Sequence, residues 1–178
     1  MKKIGIIIGS LRSGSNSAKI AANLLTLLNG KAEAKILDIS ALPLYNQDFD
    51  GGVLETPAAY TAFRKELASV DGVIVVAPEH NRTMPASLKN ALDVGSRPWG
   101  QNLWNGKSFM VVGHSPGALS GFGSATDTRT VLNFLNGRPM NQPEVYLAAV
   151  HTLFDEKGVF VPATLKFLDD VMTAFAKF

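Results

Sequence analysis

The sequence predicts one doubly wound α/β domain over residues 1–178. Apolar runs of strand length alternate with amphipathic stretches of helix length from end to end. The runs are apolar at successive positions, so both faces of each strand are buried, as in a parallel sheet covered by helices on each side. At 46% hydrophobic and 18% charged residues, the chain can fill a single large core.

The elements follow in order. Lys3–Gly9 is isoleucine-rich and reads as the first strand. Ser17–Leu28 carries Ile20, Ala21, Leu24, Leu27 and Leu28 at helical spacing and stops at Asn29-Gly30. Ala34–Ile39 reads as the second strand, and Ala58–Ser69, after Pro57, as a helix. Gly72–Ala77 is a short, wholly apolar third strand, and Pro85–Val94 is a helix with proline in its first turn. Lys107–Gly113 is the fourth strand, Thr126–Leu135 a helix and Glu144–Ala149 the fifth strand. Pro162–Phe178 is a closing amphipathic helix. Short right-handed crossovers then favour the flavodoxin-like order 2-1-3-4-5 for five parallel strands. There is no internal repeat and no low-complexity linker.

Composition excludes several classes of function. A net charge of +2, with no basic run of five residues, does not argue for nucleic acid. The absence of cysteine removes disulfides, thiolate catalysis and iron–sulfur ligation. His80, His114 and His151 are scattered without metal-ligand spacing. No apolar run nears the ~18 residues of a membrane span. Lys2 and Lys3 precede a run too short for a signal-peptide core, so a soluble cytoplasmic protein is expected.

Ligands of such sheets bind at the carboxyl ends of the strands, where strand order reverses. Three loops fall there: residues 9–17, 78–85 and 114–124. The first reads "GSLRSGSNS" between a strand and a helix. Gly9 and Gly14 let the backbone approach a ligand, and the helix start favours an anion. Ser10, Ser13, Ser15, Asn16 and Ser17 are neutral donors, and Arg12 is a bidentate charged one. One of them serves as the helix cap; five plus an arginine exceed what a cap requires. The Gly9-x4-Gly14 spacing is that of an ATPase phosphate loop, but Ser15-Asn16 stand where that loop needs Lys and Ser or Thr. G-x-G-x-x-G is absent, and Asp38 ends its strand better than it serves as a ribose ligand. A single terminal phosphate, as in a mononucleotide, suits the loop.

Residues 78–93 read "PEHNRTMPASLKNALD". Together with "GSLRSGSNS", this stretch resembles the NADPH-dependent FMN reductases, a flavodoxin-like group that includes quinone, chromate and azo-dye reductases. The family forms are G-S-x-R-x-x-S-x-N and P-E-Y-N-x-S-x-P-x-x-L-K-N-A-[IL]-D. "SPGALSG" at 115–121 is similar to the family's third flavin-contacting loop, and "LPLYNQD" at 42–48 and "RPMNQPEVYL" at 138–147 look like the family too. The resemblance runs over nearly the whole chain. It implies that Ser10, Arg12, Ser15 and Ser17 hold the FMN phosphate, with Asn16 as the alternative to Ser17. It implies that Pro78, Glu79, His80 and Asn81 run along the isoalloxazine, and that Ser115 and Gly117 border it. The chain departs from the pattern twice. Ser17 stands at the family's asparagine, and His80 at its tyrosine, adding a ring of a type that titrates near neutral pH.

On this resemblance, NADPH or NADH delivers a hydride to FMN, and a small acceptor then collects two electrons in ping-pong order, with no protein nucleophile or general base. Quinones, flavins, chromate and azo compounds are all acceptors of that kind, and a homodimer or homotetramer is implied. The rival reading is a flavodoxin-type electron carrier without nicotinamide oxidation. Such carriers are strongly acidic, unlike this chain. A phosphate-binding module or nucleotide hydrolase without flavin is the third reading. Arg97, Trp99 and Trp104 either wall the flavin face or lie in a subunit contact, and His114 reads as a satisfied strand-end histidine.

Overall fold

The computed structural model describes residues 1–178. Its elements are β1 (Lys3–Ile8), α1 (Asn16–Leu28), β2 (Glu33–Ile36), α2 (Ala58–Ala68), β3 (Gly72–Pro78), α3 (Ala86–Gly95), β4 (Ser108–His114), α4 (Phe122–Phe134), β5 (Arg138–Pro139), β6 (Val145–Leu147) and α5 (Pro162–Lys177). All pairings are parallel, in the order β2-β1-β3-β4-β5, with β6 also on β4. The doubly wound sheet in order 2-1-3-4-5 is therefore as expected.

Side-chain alternation in the central strands splits the core into two layers. Ile4 and Ile6 of β1, Ile74 and Val76 of β3, and Met110 and Val112 of β4 face α1 and α5. Ile7, Val73, Val75, Phe109 and Val111 face α2, α3 and α4. β3 is buried over Gly72–Ala77 and β4 throughout, which is why their sequences show no polar alternation.

Two expectations need correction. The fifth strand expected over Glu144–Ala149 is shorter, as β6, and it shares its edge position with a second piece, β5, that lies before the expected range. β5 pairs with Ser108 and Phe109, and β6 pairs with Val112–His114. Pro139 and Pro143 lack the N–H that a continuous ladder needs, so the chain leaves the sheet between them. The helix expected at Thr126 begins at Phe122. Its first turn contains Gly123, a poor helix former by propensity, whose amide is capped from another loop. Trp104 is core, with Nε1 donating to the Leu92 carbonyl at 2.9 Å, while Trp99 is 87% exposed.

Candidate active site

The three loops expected at the carboxyl ends of the strands do meet there. The ends of β3 and β4 lie side by side, with Pro78 in register with His114 and His114 in register with Leu147 of β6. Gly9 leaves β1 with its amide on the Val76 carbonyl at 2.9 Å, and its carbonyl accepts from Ser87 Oγ at 3.1 Å. A Cβ at Gly9 would lie 2.8 Å from both Pro78 Cδ and the Val76 carbonyl oxygen, so only glycine lets the first two loops approach this closely.

In the first loop, Ser15 is the N-cap of α1, with Oγ accepting from the Ala18 amide at 3.1 Å. Ser10 Oγ accepts from the Arg12 amide at 3.3 Å. The Arg12 side chain is exposed and touches only the Ser13 carbonyl, at 3.5 Å. The Asn16 side chain makes no hydrogen bond, and the amides of Gly14, Asn16 and Ser17 donate to no acceptor in the chain. Those amides and the guanidinium form a set of uncommitted donors at a helix N-terminus, which is the chemistry a phosphate requires. Ser17 differs from the others. It is fully buried, and its Oγ lies 2.8 Å from His114 Nε2. Its amide, and not its hydroxyl, belongs to the donor set.

In the second loop, His80 and Thr83 exchange backbone hydrogen bonds at 2.9 and 3.1 Å around Asn81 (φ 49°) and Arg82 (φ 71°). Positive φ at both central residues defines a type I′ turn. Asn81 tolerates that conformation and Arg82 does so at a cost. His80, Asn81 and Arg82 are exposed. Glu79 is committed elsewhere: its carboxylate accepts from the Gly123 amide at 2.9 Å and pairs with Arg82 at 3.0 Å. It caps α4, where the helix dipole favours an anion. Thr83 also bonds Asp127 of α4.

In the third loop, Ser115 Oγ donates to the Gly117 carbonyl at 3.1 Å, and the Ser115 amide donates to Leu147 at 3.2 Å. Gly117, Ala118 and Leu119 are exposed. All eleven expected site residues thus lie on these three loops or at their junctions with the sheet. Sequence reasoning missed Gly123 and Asp127, which brace the second loop from α4. Both come after the motif, and only their pairing across 44 residues reveals the role. The reading of His114 as satisfied also needs correction: burial lowers its pKa to about 4, and Nδ1 has no partner.

A parallel sheet in this order, with a neutral-donor anion cradle at its switch point, defines a flavodoxin-like mononucleotide-binding domain. The sequence profile of NADPH-dependent FMN reductases matches residues 2–152, and the chain belongs to that family of oxidoreductases. A quinone reductase of Pseudomonas putida is 42% identical over 173 residues, covering 97% of this chain and 92% of the relative. A 2-hydroxy-1,4-benzoquinone reductase of a Burkholderia species is 39% identical, covering 98% and 94%. Among solved structures, the flavoenzyme NAD(P)H:(acceptor) oxidoreductase FerB of Paracoccus denitrificans superposes with a TM-score of 0.91 at 31% identity, over 99% of this chain and 96% of that one.

Proposed function

We propose that this protein binds FMN across the three loops and transfers two electrons from NAD(P)H to a small quinone in ping-pong order. The observation that carries the reading is the set of unpaired donors at the start of α1, placed beside two loops that leave an exposed face. FMN, when bound, supplies the hydride chemistry. The chain supplies position. The amides of Gly14, Asn16 and Ser17, the hydroxyl of Ser10, the Asn16 side chain and the Arg12 guanidinium anchor the phosphate. Pro78, His80 and Asn81 line the ring system, with Glu79 acting through its backbone, and Ser115 and Gly117 close the other edge.

The exposed residues of the second and third loops present one open face, and in this reading donor and acceptor use it in turn. Quinones are the favoured acceptors because two relatives at about 40% identity carry quinone reductase names. Free flavin, chromate and azo compounds are further acceptors open to such a face. The reaction belongs in the cytoplasm, where NAD(P)H is available, and no helix is long and apolar enough to cross a membrane.

We further propose that the protein works as a homodimer or homotetramer. Trp99 and Phe134, each 87% exposed, border a groove of about 910 Å³ between α3 and α4. Two such side chains facing water on one surface favour burial against a second copy.

Anaerobic mixing of the flavin-loaded protein with NADPH tests the main reading. Flavin absorbance should fall, then recover when benzoquinone is added. No fall with either nicotinamide would leave an electron carrier as the better description.

A further inference from the structure

His114, where β4 enters the third loop, contacts all three loops. Its carbonyl accepts from the Glu79 amide of the second loop at 3.3 Å. Its backbone packs so closely on the end of the third loop that a Cβ at Gly121 would lie 2.4 Å from its nitrogen. Its ring reaches the first loop, with Nε2 2.8 Å from Ser17 Oγ across 97 residues of sequence.

Ser17 is the second residue of α1, so its hydroxyl has no carbonyl of its own helix four residues back. The partner must come from another element, and β4 provides it. We propose that His114 is a positioning residue for the phosphate cradle: through Ser17 it holds the first turn of α1 so that the free amides of Asn16 and Ser17 face the phosphate. The proposal rests on reading the first loop as an FMN-phosphate site.

The chemistry of the ring supports it. His114 is 4% exposed, and burial keeps it neutral at physiological pH. A neutral imidazole carries one N–H. Nδ1 is unpartnered, and Nε2 is the only hydrogen-bond partner of the buried Ser17 hydroxyl, so the tautomer sets which of the two donates while the bond itself is kept in either case. For stability alone an apolar side chain would suit the position better, because the imidazole leaves one nitrogen unsatisfied. What the ring adds over an apolar group is a directed bond to the turn that carries the anion donors. The same pairing explains why a serine suffices where the family form has asparagine: its hydroxyl is anchored to the sheet and its amide is left for the ligand.

Riboflavin, which is FMN without the phosphate, separates this role from a merely structural one. Dissociation constants for both flavins are measured by fluorescence quenching on the full-length, flavin-stripped protein and its Arg12→Ala, Ser17→Ala, His114→Phe and His114→Gln variants. Ser17→Ala and His114→Phe should each weaken FMN about tenfold, the effect of one well-placed hydrogen bond to a charged group, and leave riboflavin unchanged. Their double variant should lose little more than either single one. His114→Gln, whose terminal amide can donate or accept where Nε2 does, should recover most of the loss.

An unchanged FMN-to-riboflavin ratio in folded His114→Phe overturns the proposal, as does an equal loss of both flavins. Should His114→Phe fail to fold, the same two results in Ser17→Ala decide. If the unmodified protein and Arg12→Ala bind both flavins equally, the phosphate reading of the loop itself fails, and the proposal with it.

Discussion

Arg12 and His114 mark two extremes at the scale of single residues. Arg12 is exposed with no acidic partner, so removing it leaves nothing unsatisfied in the fold. Arg12→Ala should weaken FMN binding about ten- to a hundredfold, the range of a charge-assisted bond, with melting temperature unchanged in the flavin-free protein; calorimetric titration checks the first and a thermal melt the second. His114 is enclosed, and burial lowers its pKa from 6.5 to about 4. The unfolded chain therefore binds a proton between those values that the folded chain refuses, so stability rises with pH there. The contribution is complete above about pH 6.5 and is lost as pH falls toward 4, amounting to roughly 3 kcal/mol. Denaturant midpoints at pH 7 and pH 4.5 should differ less in His114→Phe than in the parent. Arg12 was legible in sequence because it stands in a strand–loop–helix motif. The role of His114 was not, because its partner lies 97 residues away.

Between elements, the second loop owes its shape to α4 as much as to its own turn. Glu79 caps the helix, Thr83 bonds Asp127, and the Arg82 carbonyl lies against Gly123, where a Cβ would come within 2.3 Å of it. Backbone cannot yield as a flexible side chain does, so Gly123→Ala should displace the 80–83 turn. A loss of about 1–3 kcal/mol in stability is expected, together with weaker binding of FMN and riboflavin alike; thermal melts and flavin titration measure the two effects. Glu79→Gln keeps an acceptor for the Gly123 amide but loses the charge, and should cost less than Glu79→Ala. The motif "PEHNRTMP" located this loop without showing that Glu79 turns toward α4. Likewise the prolines of 138–147 were visible, yet the division of the edge strand into β5 and β6 depends on which carbonyls and amides of β4 lie opposite.

At the scale of the whole molecule, the two core layers account for the sheet, while the groove between α3 and α4 remains open to water. Phe134→Glu and Trp99→Glu should shift the protein toward a monomer in size-exclusion chromatography with light scattering, while FMN binding is retained. A panel of acceptors at saturating NAD(P)H should show benzoquinones turned over faster than free flavin or chromate.

What the sequence determined by itself was the alternation of buried strands and helices, the three loops and the family. Each is written locally, in runs of apolar residues or in short motifs whose chemistry depends on neighbours along the chain. Only the tertiary structure decided which donors of those loops remain free. Ser15 caps α1, Glu79 caps α4 and Ser17 bonds His114, while Arg12 holds only the neighbouring Ser13 carbonyl and the Asn16 side chain and the amides of Asn16 and Ser17 stay unpaired. A hydrogen-bonding group is available to a ligand only if the fold has not already given it a partner, and those partners come from strands and helices far away in sequence.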